Sequence, residues 1–110
     1  MDHYYDRSHL PRFGEIAEGS QKLADSFFSY YNEVFEEGAL TVREKALIAL
    51  AVASTVQCPY CIDAYTTACL ESGSDLEQMT EAVHVATAIR GGASLVHGVQ
   101  MVDQVKRLSM

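Results

Sequence analysis

From about residue 20 onward, apolar positions recur every three to four residues, and no segment of any length alternates with a period of two. The pattern therefore predicts helices throughout and no sheet. Phe27, Phe28, Tyr31, Val34 and Phe35 share one face of a helix over residues 20–36 that stops near Gly38, and its aromatics are expected in the core. Thr41-Val42-Arg43-Glu44 reads as a capping box. The Thr41 hydroxyl accepts from the Glu44 N–H, the Glu44 carboxylate accepts from the Thr41 N–H, and a helix begins at Val42. From Lys45 to Ala53 that helix is apolar on every side after its first turn, which marks it as the central one. Gln57 and Cys58 break it, and Pro59, suited to a first helical position, starts the next helix through Ile62, Tyr65, Cys69 and Leu70 to Gly73. Ser74-Asp75-Leu76-Glu77 reads as a second capping box, opening a helix through Met79, Val83, Ala86 and Ile89 that is expected to end at Gly91-Gly92. A last helix, from about residue 93 to Leu108, carries Leu95, Val96, Val99, Val102 and Val105.

Length and composition narrow what this helical chain can be. One domain fills 110 residues, and a domain of that size buries roughly two-thirds of its unfolded surface, enough for a core without disulfides or a structural metal. The 48% hydrophobic and 21% charged content is apolar for so small a monomer, so a homo-oligomer is expected. Eight Lys and Arg against fifteen Asp and Glu leave a formal charge of −7 with no basic run. Phosphate backbones are repelled, and nucleic acid is not an expected partner. The first seven residues lack a signal-peptide pattern, and the apolar run from Ala46 to Val56 is shorter than the roughly 20 residues a membrane span needs. A cytoplasmic protein without a membrane segment is expected.

Three cysteines, an odd number, argue against a disulfide framework. Two of them form Cys58-Pro59-Tyr60-Cys61 at the start of a predicted helix. Three intervals place both sulfurs on one side of a turn, close enough for a small disulfide ring. Free N–H groups at a helix start stabilise a thiolate, the species that attacks a peroxide or a disulfide. Proline between the cysteines fixes the turn. Attack on a peroxide gives a sulfenic acid, which the second cysteine resolves into a disulfide, and a dithiol reductant resets the pair. A closed zinc site needs two further ligands. Cys69 lies too far along the helix to supply one easily, and His84 or His97 would have to converge from other helices, so no metal is assigned. No cofactor is assigned either.

Residues 43–53, then Gln57-Cys58-Pro59-Tyr60-Cys61, Ala64 and the Gly73 turn, resemble the core of the alkylhydroperoxidase D and carboxymuconolactone decarboxylase superfamily. The resemblance spans residues 40–90. It implies a single-domain, all-α, alkylhydroperoxidase D-like bundle of about six helices over residues 1–110, assembling as a trimer or hexamer. More narrowly, residues 58–65 and 88–98 look like the arsenosugar biosynthesis-associated peroxidase-like proteins. The superfamily's peroxidases carry a glutamate twelve residues before the first cysteine and a histidine four after the second. Ala46 and Tyr65 stand at those positions here. The resemblance makes Cys61 the attacking thiol and Cys58 the resolving one, whereas the helix-start argument makes Cys58 the more acidic. Decarboxylase members generally lack the pair.

Two groups are candidates to assist the thiols. The Tyr65 phenol sits one turn beyond Cys61, where simple packing also accounts for it. His84, between Val83 and Val85 on a helix expected to face the core, titrates in the right range, and a structural histidine also accounts for it. His97 is a weaker case of the same kind, and His3 and His9 fall in a terminus expected to be mobile. Glu44 is explained by its cap, Cys69 as a small buried residue and Asp63 as a solvated one. The chain is thus expected to be a thiol-dependent, peroxidase-like oxidoreductase acting on a hydroperoxide or a thiophilic substrate. The alternative is a dithiol protein that binds trivalent arsenic without turnover.

Overall fold

In a computed structural model, residues 5–109 are described, and they form five helical elements with no strand among them. A 3-10 helix over Arg7–Glu18 is followed by α1 (Gln21–Phe35), α2 (Val42–Val56), α3 (Pro59–Glu71) and α4 (Leu76–Leu108). The all-α expectation holds, and the boundaries of α1, α2 and α3 fall within a residue or two of those read from the pattern. His3 lies outside the described residues.

Each start has a local cause. Ser20 caps α1, its hydroxyl accepting from the Leu23 N–H at 3.3 Å. At α2 the expected box is complete: the Glu44 N–H reaches Thr41 Oγ1 at 3.1 Å and the Thr41 N–H reaches Glu44 Oε1 at 2.8 Å. The same contact holds the Glu44 carboxyl below its ordinary range. The second box is shifted by one residue from the expected register. Asp75, not Ser74, caps α4, accepting from the Gln78 N–H at 2.8 Å while Gln78 Oε1 accepts from the Asp75 N–H at 3.0 Å. A carboxylate is the better acceptor against the positive end of the helix dipole. Ser74 is instead buried, its hydroxyl accepting from Arg43 Nε at 3.3 Å.

Gly91-Gly92 does not end a helix. α4 runs unbroken for 33 residues. Glycine weakens a helix interior by about 1 kcal/mol relative to alanine but stops it only where the chain turns left-handed. Among the described residues positive φ occurs at Gln57 and Gly73 alone, the latter closing α3.

α2 is the hub, packed chiefly against α3 and α4. Ala46 and Leu50 from α2, Cys69 from α3 and Met79 from α4 form the buried centre, with Leu47, Tyr65 and Ala68 against it. Cys69 is fully buried, as a small apolar side chain would be. The other faces of α2 are bare: Ile48, Val52 and Val56 are exposed. The radius of gyration, 19.0 Å, exceeds the roughly 13 Å of a compact chain this long. From Gly91 to Ser109 every residue of the chain but Gly98 is exposed, so the distal half of α4 stands clear of the body.

Candidate active site

The start of α3 is prepared by the end of α2. Gln57 takes φ 58° and ψ 46°, a left-handed conformation that costs a non-glycine residue about 1 kcal/mol. This turn lets the Cys58 N–H donate to the Ala53 carbonyl at 3.1 Å and swings Cys58 into the capping position of α3. Pro59 follows at the first helical position, where its missing N–H leaves no donor unsatisfied. The strain therefore sits immediately before the first cysteine of the pair.

Cys58 caps α3 with sulfur. Its Sγ accepts from the Cys61 N–H at 3.3 Å. The Cys61 thiol hydrogen-bonds the same sulfur, and together with the N–H groups of Cys61 and Tyr60 it draws the Cys58 pKa below that of an ordinary thiol. Burial, the hydrogen bond to Cys58 and the Cys58 charge push the Cys61 thiol up to about 11. Cys58 is therefore the more acidic of the two thiols. This is the acidity order given by the helix-start argument. Both cysteines are free and half-buried.

The two sulfurs sit on the wall of an apolar cavity of about 490 Å³, lined by His9, Leu10, Phe13, Phe27, Tyr31, Cys58, Tyr60, Cys61, Ala64 and Tyr65. An aromatic ladder supports one side. Phe13 meets Phe28 at 5.1 Å between ring centroids, and Phe28 meets Phe27 at 5.4 Å. The chain continues from Phe27 to Tyr31, from Tyr31 to Phe35, and ends where Phe35 stacks on Tyr65 at 5.2 Å. Two of the α1 aromatics expected in the core, Phe27 and Tyr31, are thus cavity walls, and Phe27 is 46% exposed. A second, more open apolar groove along Ile48, Val52 and Val56 of α2 shares Tyr31, Cys61 and Tyr65 with this cavity.

Of the four expected site residues, the structure brings Cys58, Cys61 and Tyr65 together. It leaves His84 apart: that side chain is exposed on α4, not turned to the core, and does not line the cavity. The helix meets α2 through Met79 and Ala86, and His84 projects from another face. His97 is likewise exposed on α4. Among the described residues no group of three or more His, Cys, Asp or Glu gathers in a metal-binding arrangement.

Two residues read as peripheral lie at the cavity or beside it. His9, expected in a mobile terminus, sits in the 3-10 helix and lines the cavity. Asp63, expected to be solvated, accepts from the Tyr5 hydroxyl at 2.8 Å and from Arg7 Nε at 3.1 Å, tying the N-terminal segment to α3. The sequence signal for this placement is slight: Leu10 and Phe13, apolar in a polar stretch, line the same cavity, while His9 itself stays exposed.

Comparisons with known proteins agree on the fold. A family model described as "Carboxymuconolactone decarboxylase family" matches residues 21–104. The chain is 39% identical over 84 residues, 76% of each sequence, to "Uncharacterized protein 4 in cox locus" from Paracoccus denitrificans. A crystal structure of a structural-genomics protein from Methanobacterium thermoautotrophicum matches at TM-score 0.74 and 32% identity, over 78% of this chain and 97% of that one. A crystal structure of a carboxymuconolactone decarboxylase family protein from Legionella pneumophila matches at TM-score 0.68 and 25% identity, over 94% and 97%. No helix among the described residues is long and apolar enough to cross a membrane.

Proposed function

This chain belongs to the carboxymuconolactone decarboxylase family, and we propose that within it the chain acts as a thiol-dependent, peroxidase-like oxidoreductase with Cys58 attacking and Cys61 resolving. The observation that carries this reading is the Cys58 sulfur serving as the cap of α3 on the wall of an apolar cavity. The Cys58 thiolate attacks the peroxide O–O bond, an S–O bond forms, and the distal oxygen leaves as an alcohol or water after taking a proton. Cys61 then attacks the sulfenic sulfur, the S–S bond forms, and water departs. An external dithiol returns both sulfurs to the reduced state.

The test is to expose reduced protein to hydrogen peroxide or tert-butyl hydroperoxide and follow loss of free thiol and gain of a Cys58–Cys61 disulfide by mass spectrometry. Turnover with a dithiol reductant supports the reading, and thiols inert to both peroxides overturn it.

A second reading rests on the same two sulfurs sharing a hydrogen bond: the pair is a soft, bidentate ligand for trivalent arsenic, in keeping with the resemblance to the arsenosugar-associated proteins. Stoichiometric arsenite binding that protects both thiols, without peroxide turnover, would favour it. For either chemistry we propose a cytoplasmic homo-oligomer, since Ile48, Val52 and Val56 on α2 and Leu95, Val96 and Val99 on α4 are all exposed. Light scattering at the monomer mass would exclude the assembly.

A further inference from the structure

A thiol that attacks a peroxide must first lose a proton, and the oxygen that leaves must gain one. Among the residues lining the cavity, the groups able to exchange protons are the two cysteines, the phenols of Tyr31, Tyr60 and Tyr65, and His9. An unperturbed phenol titrates near 10, and burial together with the Cys61 charge raises Tyr31 further. Imidazole alone titrates near neutrality.

His9 is held where it is by more than its own helix. Asp6 caps the 3-10 helix, Oδ1 accepting from the Ser8 N–H at 2.9 Å and the Ser8 hydroxyl at 2.7 Å, while Oδ2 lies 3.7 Å from His9 Nε2. Arg7 pairs with Asp63 through both Nε, at 3.1 Å, and Nη2, at 3.3 Å. The Tyr5 hydroxyl donates to the same carboxylate, and the Tyr5 ring meets Tyr60 edge-on at 4.9 Å. Asp63 and Tyr60 belong to the first turns of α3, which also carry the cysteines. Residues 5–9 are thus strapped to the dithiol's own helix, although they precede the family-matched span of 21–104.

Resting on the peroxidase-like reading above, we propose that His9 is the proton carrier of this site, and that Asp63 is a positioning residue holding the strap through Arg7 and Tyr5. Neutral His9 takes the Cys58 proton. The thiolate forms the S–O bond as the O–O bond breaks, and the imidazolium returns that proton to the departing oxygen. The charge of the imidazolium faces Asp6 and Glu15 on its own helix, the latter paired with Arg12. Across the cavity it faces the two cysteines and the three phenols.

The experiment compares wild type, His9→Gln, His9→Gly and Asp63→Ala, each checked for helical content. Two rates are followed: oxidation of Cys58 by tert-butyl hydroperoxide across pH, and alkylation of Cys58 by iodoacetamide, which needs a thiolate but no proton for the leaving group. His9→Gln is expected to slow peroxide oxidation about 10²-fold at neutral pH, to alter the pH profile of that rate, and to change alkylation far less. Added imidazole is expected to recover part of the rate in His9→Gly. A folded His9→Gln with wild-type peroxide rate and pH profile overturns the proposal. An equal fall in both rates does so too, because it places the effect on the thiolate alone. If wild type itself is inert to peroxide, the peroxidase-like reading fails and this one with it. Asp63→Ala is expected to share the peroxide defect, and a wild-type rate there overturns the positioning role of Asp63.

Discussion

α2 and α3 begin in the same way geometrically and differ in the atom that does the capping. At α2 an oxygen accepts at 3.1 Å and Glu44 answers at 2.8 Å, and α4 repeats the device with Asp75 and Gln78. At α3 a sulfur accepts at 3.3 Å, no side chain answers, and the residue before it is left-handed. A neutral thiol is a weak acceptor, so Cys58 is a poor cap until it ionises. Once it is a thiolate, the exposed N–H groups of the helix start stabilise it. The helix start that opens on the aromatic cavity is also the one that gives up capping strength for an acidic thiol.

The sharpest way to break that contrast is to put oxygen at Cys58. Cys58→Ser supplies a preferred capping residue, so thermal stability is expected to be equal to or above that of wild type, while peroxide-driven disulfide formation vanishes. A serine variant that unfolds at lower temperature would show that sulfur contributes packing that the capping geometry does not convey. Next in size is the difference between the two thiols. Cys58 has a depressed pKa, so its thiolate population is already present below the ordinary thiol range and its alkylation rate rises with pH from there. Cys61 is neutral until pH approaches about 11. At pH 8, iodoacetamide is expected to modify Cys58 more than about tenfold faster than Cys61, allowing for the lower nucleophilicity of an acidic thiol. Peptide mapping after brief labelling reads this ratio, and equal labelling would remove the basis for calling Cys58 the attacking sulfur. Smaller again is Thr41→Ala, which deletes the oxygen cap of the hub helix. It is expected to cost about 1 kcal/mol in denaturant unfolding and to leave the thiol chemistry intact. A change in Cys58 reactivity would mean that the two helix starts are coupled through α2.

The same contrast separates what the sequence makes legible from what it hides. Thr41 and Glu44 lie three residues apart and Cys58 and Cys61 likewise, so local rules suffice for the α2 start and the dithiol. Tyr65 follows from helical spacing too. His9 and Asp63 are different. Asp63 meets Arg7 from 56 positions away, and no local pattern distinguishes a carboxylate with a distant cation from a solvated one. His9 sits in a 3-10 helix, whose periodicity differs from the α-helical template and which contains Pro11, so its apolar neighbours Leu10 and Phe13 did not register as a face. His84 departs from the core placement that its flanking valines suggest: Val83 and Val85 are exposed with it. On a helix that packs by one narrow stripe, sequence neighbours point elsewhere. The Ser74 and Asp75 register depended on Arg43 claiming the serine, again a contact across helices.

The smallest expected effect probes the other unusual helix region, the glycine pair inside α4. The body of α4 is fixed by Met79 and Ala86, whereas beyond Gly91 none of the described residues is buried. Helicity there depends on intrinsic propensity and on whatever covers its apolar face. A Cβ built on Gly91 meets nothing within 4 Å. Gly91→Ala is therefore expected to add up to about 1 kcal/mol and raise the melting temperature by a few degrees. If the distal half packs against a second copy of the chain through the glycine surface, the methyl group meets the partner's backbone and the sign reverses. The melting temperature then falls, and light scattering shows a smaller particle. A rise with unchanged mass assigns Gly91 to a solvent-facing side of α4, and any homo-oligomer contact must then run through the other exposed apolar residues, Leu95, Val96 and Val99 of α4 or Ile48, Val52 and Val56 of α2.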